Sequence, residues 1–342
     1  ARFKPEISNS IEVGLDWRMF KQRFGLDLAF YNNITRNQIL DVPMDQTTGY
    51  TKATMNSGKV RNRGIELQLD GTPVKTKNFT WNSTFTWAKN YNKVLSLAAG
   101  LTDGQTIAYT GGTNCALIAK VGGSIGDIYG YKLKRAPDGQ VVWKDGITAR
   151  TTEFEYVGNA YPAWKAGFSN EFSYKNFRVS ILFDGQWGGI VYSQTHHKMT
   201  EHGTLKHTLK YRENPNFEVV GEGVMLDERG QYVPNNVPIS VSKYYADYWR
   251  RANVETNSFD ASFLKLREAR IEYTIPSAGL NKIGIERLTL ALYGRNLAMW
   301  TKDFPVYDPE VATLNNGTIV PGSEMGQLPS TRTMGFNLTL KF

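Results

Sequence analysis

The sequence predicts an all-β chain, a portion of a transmembrane antiparallel β-barrel of about nine strands with long extracellular loops. Three observations predict it. Apolar and polar residues alternate along successive segments, the connections between segments alternate between very short and long, and the final segment is an alternating strand ending in the aromatic Phe342. Period-two alternation marks a strand with two unlike faces. Loop asymmetry separates a membrane barrel from a soluble sandwich, because both ends of a sandwich face the same water.

Composition sets the frame. Of 342 residues 13% are aromatic and 32 are Gly, a mixture suited to strands and turns. No stretch approaches the ~18 consecutive apolar residues of a membrane-spanning helix. A mean hydropathy of −0.41 does not oppose a barrel, whose strands are apolar on one side only. The formal charge is +8, but the cations are scattered and often fall in short turns (Lys75, Lys77, Lys175), as on a solvated surface. Nucleic acid is therefore not an expected partner. The single Cys115 excludes an intrachain disulfide and a thiolate-rich metal site. The chain enters a strand without initiator Met or signal peptide, and so reads as part of a longer polypeptide.

The elements follow in order. Ile11, Val13, Leu15, Trp17 and Met19 share one face, against Glu12, Gly14, Asp16 and Arg18. After the turn Lys21-Gln22-Arg23, Phe24, Leu26, Leu28 and Phe30 oppose Gly25, Asp27, Ala29 and Tyr31, completing a hairpin. A polar stretch with Pro43, Gly49 and Gly58 leads to Ile65, Leu67 and Leu69, and a short turn at 75–78 leads to Phe79, Trp81, Phe85 and Trp87. A long span with short β-like pieces precedes a tight hairpin, Gly167–Tyr174 and Phe177–Phe183 across Lys175-Asn176. A polar, His-bearing stretch of about residues 188–258 ends in SVSKYYADYWRRAN, which suits a short helix. In Phe263–Ile275 the apolar parity changes after Leu266, which one inserted residue, a β-bulge, would reconcile. Leu288, Leu290 and Leu292 follow, and then a Pro/Gly-rich loop. The strand Met334, Phe336, Leu338, Leu340 and Phe342 closes the chain. Nine antiparallel strands leave the first and last pointing the same way, so they cannot close a cylinder alone. An open edge in lipid costs several kcal/mol for each unpaired backbone group. The remaining wall is expected from an N-terminal portion or a separate chain.

Motifs that could carry chemistry are few. Gly122-Gly123-Ser124-Ile125-Gly126 fits G-x-S-x-G, but a nucleophile elbow needs a following helix, whereas DIYGYKL reads as a strand. His196, His197, His202 and His207 lack the H-E-x-x-H spacing, so a polar extracellular loop is the simpler account. No catalytic, cofactor or metal residue is assigned. Trp143, Tyr161, Trp187 and Tyr192 are loop or rim aromatics that could stack on sugar rings or grip peptides; loop packing or an interfacial belt is the competing account. Trp17, Trp81 and Trp87 share the apolar parity and should face lipid or the belt.

FKPEISNSIEVGLDWRMF resembles the run that opens the later barrel of SusC-type TonB-dependent transporters. NSGKVRNRGIELQLDGTPVKTKNFTWNSTFTWAKN, GSIGDIYGYKL, VGNAYPAWKAGFSNEFSYKNFRVSILFDGQWGG, ADYWRRAN and ASFLKLREARIEYTIP are also similar to that family. So is the ending YGRNLAMWT…VYDPEV…LPSTRTMGFNLTLKF, and the blocks run in order along nearly the whole chain. The resemblance implies a plugged barrel of roughly 22 strands in the outer membrane of a Gram-negative bacterium, among its lipid and lipopolysaccharide. Residues 1–342 would be the C-terminal portion of the barrel domain, with plug and TonB-contacting segment elsewhere. It implies a SusD-like surface lipoprotein as lid, the TonB complex as energy source, and Phe342 as the signal read by the outer-membrane assembly machinery. The expected function is import of glycan or peptide fragments, without enzymatic activity. The alternative is a SusC-like barrel serving as a scaffold in a larger outer-membrane assembly.

Overall fold

The computed structural model describes residues 3–43, 47, 49–50, 52–56, 58–98, 104–110, 112–276, 280, 284–310, 313–315 and 318–342. Among them, nine long strands form one antiparallel sheet in simple sequential order. They are β1 (Ile7–Met19), β2 (Phe24–Arg36), β3 (Lys59–Lys75), β4 (Phe79–Ser96), β5 (Trp164–Tyr174), β6 (Phe177–Trp187), β7 (Phe263–Ile275), β8 (Arg287–Thr301) and β9 (Thr333–Lys341). The connections 20–23, 76–78, 175–176 and 276–286 lie at one end of the sheet. The far longer 37–58, 97–163, 188–262 and 302–332 lie at the other. Phe20, Lys21 and Gln22 take positive φ (52°, 56° and 66°), which turns the chain sharply between β1 and β2. Within the described residues β1 pairs only with β2, and β9 only with β8, so both edges are open.

Register aligns like with like. Leu15, Leu28, Leu67, Trp87, Ala166, Gly185, Leu264 and Trp300 stand opposite one another across eight strands on one face. The adjoining row on the other face is Asp16, Asp27, Gln68, Thr86, Gly167, Asp184, Lys265 and Met299. A sandwich would bury the first row against a second sheet. Here Ile65, Leu67 and Leu69 stay part-exposed, and Ile11, Val13, Leu15 and Trp17 are 71%, 67%, 50% and 52% exposed. This is a face built for lipid.

Aromatic side chains bound that face at both ends. Trp164 and Trp187 stack with ring centroids 6.3 Å apart at the long-loop end. Phe79, Tyr174, Phe177 and Tyr273 form a row at the short-turn end. Trp164 and Tyr174 begin and end β5, an 11-residue strand, so the two girdles lie about 33 Å apart along the strand. At a tilt of about 40° that gives a height of about 25 Å, the apolar band of outer-membrane barrels. Leu69 lies near mid-height. Leu69→Arg is expected to destabilise the inserted wall by about 2–4 kcal/mol, and Gln68→Arg on the opposite face by under about 1 kcal/mol. Urea unfolding of the full-length protein in lipid vesicles, followed by heat-modifiable gel mobility, measures the difference; equal losses would remove the lipid-facing assignment.

The expected bulge in β7 is present. Against β6, Arg267 is the extra residue, lying between the pairs Phe183–Leu266 and Leu182–Glu268; against β8 it faces two residues, Asn296 and Leu297, between the pairs Leu266–Ala298 and Glu268–Arg295. Two glycines sit where a wall tyrosine crosses them. A Cβ on Gly64 would meet the Tyr31 hydroxyl at 2.4 Å, and one on Gly335 would meet the Tyr293 ring at 2.7 Å. The paired tyrosines cover the bare backbone.

The long connections fold into a layer over the mouth. Val142–Lys144 pairs with Ile147–Thr148 and, in parallel, with Val224–Leu226, joining the second and third long loops. Ile190–Ser193 pairs with Ser258–Asp260 and with Ser323–Glu324, joining the third and fourth. Two short helices, α1 (Gln194–Glu201) and α2 (Val241–Tyr248), begin on Ser193 and Ser240, whose hydroxyls accept the N–H of His196 and Lys243. The helix expected from SVSKYYADYWRRAN is α2.

Candidate functional site

The site is the polar face of the wall together with the loop layer that roofs it. A groove of about 740 Å³ runs along that face, with Asp16, Asp27, Glu66, Gln68, Thr86 and Lys165 among its lining residues. Above it, hydrogen bonds knit an amide ladder. Tyr31 Oη donates to Asn90 Oδ1 (3.1 Å), and the Asn90 and Asn92 amides donate to Asn62 Oδ1 (3.2 and 2.9 Å). Asn92 Oδ1 in turn accepts from Ser124 Oγ (3.0 Å) and the Ile125 N–H (2.9 Å). This settles Gly122–Gly126: Ser124 is buried and fastens a tight turn to the wall, and a strand, Asp127–Gly130, follows it.

The bulge in β7 builds a second fastening. Lys265, 2% exposed on the inward face, donates to both oxygens of Asp308 (2.8 Å each) and to Glu310 Oε2 (2.6 Å). The bulged Arg267 donates to Asp184 Oδ1 (2.5 Å) and to both Glu310 oxygens (2.6 Å each). Burial opposes ionisation of Asp308 and Glu310, but donors from Lys265, and from Arg267 for Glu310, more than offset it and hold both carboxyls below the ordinary range. The segment Asp308-Pro309-Glu310 is thereby clamped to the wall. Sequence reasoning found the bulge but not its purpose, because the partner carboxylates lie more than forty residues away in the chain, Asp184 before it and Asp308 and Glu310 after it. A further carboxylate, the buried Glu324, accepts from Ser193 Oγ (2.5 Å), Thr195 Oγ1 (2.6 Å) and the Tyr307 hydroxyl, tying the fourth loop to α1.

The four candidate aromatics separate into different places. Trp143 is 1% exposed, stacked with Tyr244 and Tyr248 (6.1 Å each), with its indole N–H on the Glu222 carbonyl. Tyr192 is fully buried beside Cys115, Ile128 and Val254. Both are cores of the loop layer and present no surface to cargo, which corrects the rim reading; long loops of this size bury apolar surface of their own. Trp187 is the last residue of β6 and shares outward parity with Phe177, Val179 and Phe183. It belongs to the upper aromatic girdle. Gly185 interrupts the apolar alternation just before it and hid its membership of the strand. Tyr161, 40% exposed, faces a pocket of about 360 Å³ shared with Asn90, Asn92 and Lys165, and it alone of the four stands at the mouth. Phe342 is exposed, one residue beyond β9.

Comparison with known proteins fits this geometry. A family model described as TonB dependent receptor-like, beta-barrel matches residues 1–297. The chain belongs to that family. The TonB-dependent receptor P26 of Formosa agariphila is 29% identical over 98% of this chain and 34% of its own length. The TonB-dependent receptor SusC of Bacteroides thetaiotaomicron is 24% identical over 55% of this chain and 20% of its own length. The structure of the RagAB peptide transporter superposes with a TM-score of 0.69 at 20% identity, covering 98% of this chain and 35% of that one. The chain thus spans about a third of the length of the first curated relatives it matches. This TonB-dependent receptor barrel is similar to SusC in sequence, and its place is the outer membrane of Gram-negative bacteria.

In this receptor barrel the histidines are part of the roof. His196, 3% exposed, shares a hydrogen bond with Asn257 Oδ1 (2.9 Å), stacks on His207 (5.3 Å) and meets Phe259 edge-on (4.7 Å). His197 Nδ1 lies 2.8 Å from the Trp249 carbonyl. Burial lowers the pKa of His196 to about 4, and lowers those of His197 and His207. A histidine kept neutral by folding stabilises fully above its unfolded pKa of about 6.5, and that contribution is lost as pH falls toward the folded value. Between pH 6.5 and 4 the roof is expected to lose roughly 3 kcal/mol through His196 alone. Hydrogen exchange of residues 194–210 at pH 7.5 and pH 4.5 measures this; unchanged protection, once corrected for intrinsic exchange, would exclude it.

Proposed function

We propose that residues 1–342 are the C-terminal portion of the barrel domain of a TonB-dependent importer that carries glycan or peptide fragments across the outer membrane. The observation that carries this reading is the pairing of a hydrated inner wall with a roof that has its own packed cores. A groove of about 740 Å³, in which Asp16, Asp27, Glu66, Gln68, Thr86 and Lys165 stand among apolar lining residues, suits a cargo that carries polar groups and must pass without binding tightly to any one point. The clamped roof suits a mouth that meets a separate lid, for which a SusD-like lipoprotein is the fitting partner. The remaining strands of a roughly 22-stranded cylinder, the plug and the TonB contact would come from the rest of the protein. The relatives' greater length supports this. Tyr161 is the residue of this chain most open to cargo, and Phe342 the one most suited to recognition by the assembly machinery. No bond-making role is assigned to any residue.

Uptake of labelled oligopeptides and oligosaccharides by cells carrying the native full-length receptor tests the proposal, with and without an active TonB complex. Energy-dependent uptake of one class, lost on deletion of the receptor, supports import. No uptake of either class, together with loss of other surface proteins on deletion, would favour a scaffold and overturn it.

A further inference from the structure

We propose that the outward face of β2, β3 and β4, just above the apolar band, binds the phosphate headgroup of an outer-leaflet lipid. The rows above Leu15–Leu28–Leu67–Trp87 change character abruptly. The next holds Val13, Phe30, Ile65 and Lys89; above it come Ile11, Asn32, Arg63 and Tyr91, then Asn9, Ile34, Arg61 and Lys93, and finally Ile7, Arg36 and Lys59. Six cations share these four rows, and no Asp or Glu of β1–β4 joins them on that face.

Height identifies the occupant. Trp87 pairs with Ala166, one row below Trp164, so Lys89 stands level with the Trp164–Trp187 girdle that marks the edge of the hydrocarbon. Arg63 and Lys93 follow at about 7 and 14 Å farther along the strands. This is the depth of headgroup phosphates. Tyr91, 51% exposed, lies between Arg63 (5.8 Å to the ring centroid) and Lys89 (4.8 Å), holding both cations over one ring. Among the described residues none of Arg61, Arg63, Lys89 and Lys93 is in an ion pair, although Arg18, Arg267 and Lys265 on the inward face are all paired. The Arg61 Nε is buried without a hydrogen-bond partner. Unpaired cations above an apolar wall complement acyl chains below and phosphates above, as in a phosphorylated saccharolipid.

The test uses the full-length receptor in detergent, titrated by native mass spectrometry with a bis-phosphorylated acyl-glucosamine disaccharide lipid and with its dephosphorylated form. Wild type should bind the phosphorylated lipid on the order of a hundredfold more tightly than R63Q/K89Q/K93Q, at about fivefold per cation, and should bind the dephosphorylated lipid as weakly as the variant does. Heat-modifiable mobility verifies that the variant is folded, and R63Q/K93Q serves if the triple variant is not. Equal affinity for the two lipids, equal affinity of wild type and variant, or displacement of the lipid by millimolar inorganic phosphate would each overturn the proposal.

Discussion

Replacing Lys265 with Met is expected to release the fourth loop from the wall and to cost about 3–5 kcal/mol. Removing one partner of a buried ion pair leaves the other charged and stranded. Asp308 is only 3% exposed and would lose both of its 2.8 Å bonds from Nζ, whereas Glu310 would keep Arg267. The effect should therefore concentrate at Asp308. Limited proteolysis of the receptor in detergent should reveal new cleavage within 302–332, and urea unfolding should give the energy. Adding Asp308→Leu to Lys265→Met should restore most of the loss, because an apolar pair of similar volume costs little where an unpaired carboxylate costs much. A single variant within about 1 kcal/mol of wild type would mean that the clamp does not hold the loop.

Trp143→Ala is expected to cost a similar amount, about 3–5 kcal/mol, by opening a large cavity in the principal core of the roof. Its ring packs with Val219, Ile239, Val241 and Tyr245 and lies against two tyrosines. Hydrogen exchange should rise in 141–148, 219–226 and α2 together, since all three pack on the indole. Protection in β1–β9 should not change, because Trp143 touches none of them in this core. Trp143→Phe should lose less but still free the Glu222 carbonyl from its indole donor. If only residues adjacent to 143 respond, the roof is not one cooperative body.

How much of this was legible depends on which forces leave a local trace. The nine wall strands were, because each alternates with period two and the wall has chemically distinct sides; even the change of parity after Leu266 announced the bulge. Strand ends were less visible. The alternation places the start of β5 at Gly167, whereas the strand begins at Trp164. The roof was opaque for a different reason. Trp143 and Tyr192 sit in loops whose polar composition resembles solvent-exposed chain, and their burial depends on partners from other connections, about 80 to 130 residues away for Val219 and Val320. Trp187 could have been placed by parity alone, counting through Gly185 from Phe183. The charge clamp left only a faint sign: two cations, Arg267 at the bulge and Lys265 two residues before it.

Among the described residues, four of the five apolar clusters draw every member from the long connections, and only the one holding Val60 and Val94 reaches into the wall. A canopy with its own interior can change its sequence without disturbing the register of the staves beneath it. Selection can therefore retailor the doorway while the pipe stays the same, provided a grafted canopy matches anchorages such as Asn92, Gln186, the Lys265–Arg267 pair, Asn296 and the tops of β3 and β4.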